Sequence, residues 1–178
     1  MSSKSATRQF RALIVEHSPY FSKLMKSWMI DLGFRTVRVC VDTDDAMALL
    51  ASVEFDLIVC DLKSAPMNGF ALVHALRRMR GSPNRLKPVV LTSHFATRRR
   101  VEIARDVGSS EFIAKPWSRK VFTQRITAAL LHQRNFIKAG EFFGPDRRRQ
   151  AGGYAGAERR RIVPTKTRIT ENAAQLEV

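Results

Sequence analysis

The sequence predicts a doubly wound α/β fold built on a five-stranded parallel sheet. Three observations carry this expectation. Short apolar runs, each too brief for a helix, recur through the first two thirds of the chain. Segments with apolar residues at helical spacing lie between them, and most are opened by a side chain able to cap a helix. The two patterns alternate five times, as a parallel sheet with helices on both faces requires.

The first strand is read at Ala12 to Val15, a fully apolar run of the kind buried on both faces of a sheet. A helix follows, with Phe21, Leu24, Trp28 and Leu32 on one face and Gly33 as its stop. Thr36 to Val41 alternates apolar and polar residues, as an edge strand would. Asp42 or Thr43 can cap a short helix through Leu50, and Leu57 to Cys60 is the third strand. Asn68 precedes a helix running to Arg80 and closed by Gly81, before a fourth strand at Val89 to Thr92. Thr97 caps a helix that ends at Gly108, and Phe112 to Ala114 is the fifth strand. Ser118 caps the last helix, whose stripe is Phe122, Ile126, Ala129 and Leu130.

Composition adds bounds. The chain has 178 residues, 44% of them apolar, and a formal net charge of +15. Such a charge favours polyanionic partners such as nucleotides, nucleic acid or anionic lipid, although a solvated positive face would read the same way. Cys40 and Cys60 sit in apolar runs at no metal-ligand spacing and read as small buried hydrophobes. His74, His94 and His132 are isolated and read as exposed or core residues, not ligands. No apolar run approaches the ~20 residues of a membrane span, so the protein is expected to be cytoplasmic, with no membrane partner. The expected organisation is a flexible N-terminus at 1–8, a folded domain at 9–133 and a flexible basic extension at 134–178.

In doubly wound sheets, chemistry gathers at the carboxyl ends of the strands. Here those ends carry Glu16-His17, Asp61, Thr92-Ser93 and Lys115-Pro116. Two carboxylates, a hydroxyl and a lysine should therefore converge.

From Gln9 to Gln133 the chain resembles the CheY-like receiver domains of bacterial response regulators. The resemblance is carried by Asp61 with Gly69 eight residues on, by Leu91-Thr92, and by Phe112 three residues before Lys115-Pro116. It implies a CheY/flavodoxin-like fold in which Asp61 accepts a phosphoryl group from a histidine kinase. Lys115 would neutralise the phosphoryl oxygens, Thr92 would hydrogen-bond one of them, and Phe112 would be the switch aromatic. It also implies a cis Lys115-Pro116 bond, no enzymatic activity of the usual kind, and a partner face made by the helix from Thr97, the strand through Phe112 and the helix from Ser118. The family's second acid after strand one ligates Mg²⁺, and here that position is His17. Imidazole suits a hard, oxygen-seeking cation poorly, so Asp61 and Glu16 are left as the metal ligands of a weak or absent Mg²⁺ site. The loop proline is also displaced, to Ala65-Pro66.

Beyond the last helix the composition turns to glycine, proline and arginine. A unit repeats there with a twelve-residue step. Phe142-Phe143-Gly144-Pro145-Asp146-Arg147-Arg148-Arg149 is answered by Tyr154-Ala155-Gly156-Ala157-Glu158-Arg159-Arg160-Arg161. Arginine pairs bidentately with guanine O6 and N7, stacks on bases and binds phosphate. A carboxylate accepts from guanine N1–H and N2–H₂, and glycine lets backbone approach a ligand. Two such units suit a ligand with two guanines and two phosphates, which is cyclic di-GMP. A receiver with this tail resembles the Cle family of CheY-like cyclic di-GMP effectors, which implies a flagellar motor switch protein as partner. Few apolar residues lie in the tail, so it is expected to be largely disordered without ligand, with the receiver contributing little to binding. Three alternatives stand beside this reading: a disordered basic tail, a phosphorylation-driven single-domain regulator with a decorative tail, and a receiver-controlled nucleic-acid-binding protein. Against the last, the chain has no helix-turn-helix pattern, and Asp146 and Glu158 would repel DNA phosphates.

Overall fold

The computed structural model describes residues 9–146 and 165–167. Five parallel strands, β1 (Arg11–Val15), β2 (Thr36–Cys40), β3 (Leu57–Asp61), β4 (Val89–Ser93) and β5 (Glu111–Ala114), lie in the order β2-β1-β3-β4-β5. Between and after them run α1 (Pro19–Asp31), α2 (Thr43–Ser52), α3 (Gly69–Arg78), α4 (Arg98–Asp106) and α5 (Arg119–Leu131). All five expected strands are present, most of them a residue or so longer than their apolar runs suggest, and β2 is an edge.

The caps account for where the helices begin. Asp42 accepts from the Asp45 N–H at 2.8 Å, Asn68 from Ala71 at 3.0 Å, and Thr97 and Ser118 from Arg100 and Val121 at 3.3 Å. Each satisfies a donor that the first helical turn leaves open. Helix α1 starts on Pro19, whose fixed φ suits the first turn, and Ser18 makes no side-chain cap. Its deepest side chains are Ser22, Met25 and Met29, while Phe21, Trp28 and Leu32 flank them, partly buried. The helix is thus rotated slightly from the expected stripe, because the unbranched methionines reach furthest into the sheet.

Alternation along β1 shows how two cores arise. Ala12 and Ile14 pack with α1 and α5 side chains, and Leu13 and Val15 with those of α2, α3 and α4. Cys40 and Cys60 are buried free thiols, as expected. Burial, and then the charge of Asp61, pushes the Cys60 thiol up to about 12.

The chain beyond Gln133 departs from expectation. Strands β6 (Phe136–Ala139) and β7 (Phe142–Pro145) form an antiparallel hairpin, and β8 (Thr165–Thr167) pairs with the other edge of β6. Gly140 at φ 58° opens the two-residue Gly140-Glu141 turn. Phe136 and Ile137 are buried, and Phe136 and Phe143 lie 5.4 Å apart between ring centres. A flexible extension beginning at 134 is therefore corrected: the fold continues through Asp146, because the apolar pairs around Gly140-Glu141 give this segment a face to bury.

Candidate functional site

The site is assembled by backbone register. β3 and β4 place Asp61 opposite Thr92, and β4 and β5 place Ser93 opposite Ala114, one residue before Lys115. The Lys115 N–H donates to the Ser93 carbonyl at 2.7 Å, and the Glu16 N–H to the Cys40 carbonyl at 3.0 Å. Four strands thereby hold four functional side chains in place. Gly69 sits where a Cβ would lie 2.9 Å from the Asp61 carbonyl oxygen, so only glycine lets α3 begin this close to the site.

Glu16, Asp61, Thr92 and Lys115 are all buried. Lys115 Nζ lies 2.6 Å from Glu16 Oε2 and 2.8 Å from Asp61 Oδ1, bridging the carboxylates. Thr92 Oγ1 donates to Asp61 Oδ1 at 3.4 Å, and the Lys63 N–H to Asp61 Oδ2 at 2.9 Å. The expected convergence is complete. Lys115-Pro116 is cis, and so is Ala65-Pro66.

Sequence reasoning missed the wall behind the lysine. Phe21 lies 4.4 Å and Trp117 5.5 Å from Lys115 Nζ, measured to ring centres. Their π faces favour the ammonium and exclude water from it. Trp117, next to Pro116 in the chain, was the available signal.

His17 is half exposed, with Nδ1 3.5 Å from Glu16 Oε1 and 3.8 Å from Asp61 Oδ2. Glu16, His17 and Asp61 thus offer one cluster of metal-ligating atoms. The set does not fit Mg²⁺ well. One donor is an imidazole nitrogen, and the ammonium of Lys115 already offsets the charge of both carboxylates. What the arrangement can do chemically is present a buried carboxylate oxygen beside an ammonium, a hydroxyl and a backbone N–H, donors suited to an incoming oxyanion.

Phe112 is half-buried on β5 and packs against the α2–α3–α4 core. With Val101, Arg105, Val121 and Arg125 it lines a cleft of about 620 Å³ between α4, β5 and α5. Gly144 and Pro145 are buried in β7, not set in an open turn, and a Cβ on Gly144 would come within 2.7 Å of Gly108 Cα. That glycine therefore serves the close approach of hairpin and receiver. The Asp146 N–H donates to the Asn135 carbonyl at 2.8 Å, and Arg134 Nη1 donates to the Asp146 carbonyl at 3.0 Å. Arg147, Arg148, Arg149, Tyr154, Glu158, Arg159, Arg160 and Arg161 lie outside the described residues.

A doubly wound sheet that gathers this acid, lysine and hydroxyl set at its strand ends defines a receiver-type signalling domain. Residues 12–127 match the response regulator receiver domain, and the chain belongs to that family. It is 29% identical over 118 residues to the chemotaxis protein CheY of Pseudomonas aeruginosa, covering 65% of this chain and 92% of that protein. Over 117 residues it is 27% identical to the two-component response regulator PprB of the same organism, covering 64% of this chain but only 41% of that protein. The chemotaxis response regulator CheY4 of Vibrio cholerae shares the fold at a TM-score of 0.64 and 21% identity, covering 69% of this chain and all of that one. Among the described residues no helix is long and apolar enough to cross a membrane.

Proposed function

We propose that this protein is a CheY-like signalling adaptor whose input is cyclic di-GMP, bound by the arginine-rich extension, and whose output is a protein partner, a flagellar motor switch component. The observation that carries the reading is the docking of the repeat's first copy. Phe142 to Pro145 form a strand against the receiver, and Asp146 is tied to it through Asn135 and Arg134. A ligand held by Asp146 and the arginines that follow is thereby linked to a segment packed beside α3 and against Gly108, just after α4. The partner then engages the face of α4, β5 and α5. His17 in place of a metal-ligating carboxylate weakens the usual Mg²⁺-dependent phosphoryl input, which suits a domain driven from elsewhere.

Calorimetry on the full chain tests this. Cyclic di-GMP should bind, and Arg147→Ala or Arg148→Ala should weaken it about tenfold or more, each guanidinium supplying charge-assisted bonds to phosphate or guanine. Asp146→Ala should weaken cyclic di-GMP more than a guanine-free cyclic dinucleotide. Absence of binding by the unmodified chain would sink the reading.

A second reading is favoured by the intact Asp61, Thr92 and Lys115 geometry: a phosphorylation-driven regulator served by a histidine kinase. It requires Asp61 to label with acetyl phosphate and the label to strengthen partner binding without cyclic di-GMP.

A further inference from the structure

Helix α3 and the β6–β7 hairpin enclose a cleft of about 320 Å³, whose lining includes no residue of the acidic site. Arg77, Arg78, Arg80, Arg85 and Lys138 line it, against a single carboxylate, Glu141. Arg77 is only 2% exposed. Its Nε donates to the Gly108 carbonyl at 3.1 Å and its Nη1 to the Arg85 carbonyl at 2.7 Å. Its Nη2 is buried with no hydrogen-bond partner among the described residues. A buried donor left unmatched beside other cations is a costly arrangement that an anion would relieve. Burial, and next the charge of Arg85, lowers Arg77 to about 9, which reports the same lack of a counter-charge.

The other cations are held ready or left free. Arg85 stacks on Phe143 at 4.1 Å from the ring centre and donates from Nε to the Arg77 carbonyl at 2.8 Å. Arg78 is paired with Glu141 at 2.8 Å and also contacts His74. Arg80 and Lys138 are exposed and have no ion pair or side-chain hydrogen bond among the described residues. The Phe143 ring thus orients the Arg85 guanidinium, while the exposed cations Arg80 and Lys138 also line the cleft.

We infer that the cleft between α3 and the β6–β7 hairpin is a seat for a phosphate group, carried by inorganic phosphate or by a small phosphorylated ligand. A tetrahedral oxyanion of charge near two can use several donors at once, which one carboxylate cannot. The cleft has the size of a small-molecule site, and Glu141 at its lip disfavours a nucleic-acid backbone. This seat goes beyond the repeat of arginines after Asp146 and does not depend on it.

The test uses the full chain at constant ionic strength, following arginine Nε–H resonances while inorganic phosphate, GMP and cyclic di-GMP are added in separate titrations. The Arg77 and Arg85 signals should move with phosphate. The double variant Arg80→Glu/Lys138→Glu, altered only at exposed positions, should keep its melting temperature and lose about tenfold or more in phosphate affinity. The triple variant Arg147→Ala/Arg148→Ala/Arg149→Ala should keep its inorganic phosphate affinity. Phosphate affinity unchanged in the double variant overturns the inference, as do arginine signals that move equally with chloride. Greater loss of a short DNA duplex than of phosphate would make the patch a nucleic-acid surface and overturn it too. Loss of cyclic di-GMP binding in the triple variant, with phosphate binding retained, would support both this seat and the adaptor reading. Phosphate binding by a chain that ignores cyclic di-GMP supports the seat and removes the adaptor reading alone.

Discussion

Lys115 makes close contacts to both acidic side chains of the site, at 2.6 Å and 2.8 Å, with an aromatic ring behind it. A divalent cation entering among Glu16, His17 and Asp61 meets that fixed positive charge and gains only two carboxylates. His17→Asp supplies a third, in a half-exposed position where the new carboxylate keeps its solvation until metal arrives. Mg²⁺ affinity should rise about tenfold or more, since the cation prefers charged oxygen donors. Trp117 fluorescence can follow the titration, its ring lying 5.5 Å from the lysine nitrogen. Acetyl-phosphate labelling of Asp61 should increase in parallel; a parent protein that binds and labels equally well would contradict the ligand argument. Cys60, on the same strand, gives a separate test. Its thiol, pushed up to about 12 by burial and then by Asp61, stays protonated at pH 8. Iodoacetamide at that pH should leave it unmodified in the folded protein and label it once denaturant is added, whereas rapid native labelling would show the β3 end to be open.

At the scale of elements, β7 is held where it is by an absence of side chains. Gly144 meets Gly108, at the end of α4, so closely that a Cβ would stand 2.7 Å from Cα, a backbone atom that cannot swing aside. Gly144→Ala should destabilise the protein by roughly 1–3 kcal/mol, the usual cost of forcing atoms into a packed contact. Denaturant unfolding measures it, and a change within a few tenths would mean the hairpin lies against the receiver only loosely. The five strands and five helices were legible because each couples a periodic apolar pattern to a turn or cap, and Asp61, Thr92 and Lys115 because strand ends in such a sheet must meet. The hairpin was not legible in the same way. Gly140-Glu141 between Phe-Ile and Phe-Phe is a turn signal, but these residues stand among arginines and glycines whose composition reads as unstructured chain. What the composition hides is the partner surface: Phe136 is buried because Arg77, 4.8 Å from its ring centre, belongs to another element. Neither residue alone announces the pairing.

For the whole molecule, the consequence is that the receiver's packed unit does not close at α5. Phe136 and Ile137 are buried, Phe136 shields Arg77, and Arg134 Nη2 donates to the Ser110 carbonyl at 2.7 Å. Burying an aromatic and a branched aliphatic side chain contributes about 1.5–3 kcal/mol each. The hairpin also covers a guanidinium whose Nε and Nη1 bonds are internal to the receiver. Two truncations separate this from a passive tail. A chain ending at Asp146 should match the full protein in denaturant midpoint, while one ending at Gln133 should lose about 1–3 kcal/mol of stability. In the shorter chain Arg77 loses its aromatic cover, and its side-chain amide protons should exchange much faster with solvent. Equal stability for the two truncated chains, with unchanged exchange at Arg77, would show that the hairpin rests on the receiver without stabilising it.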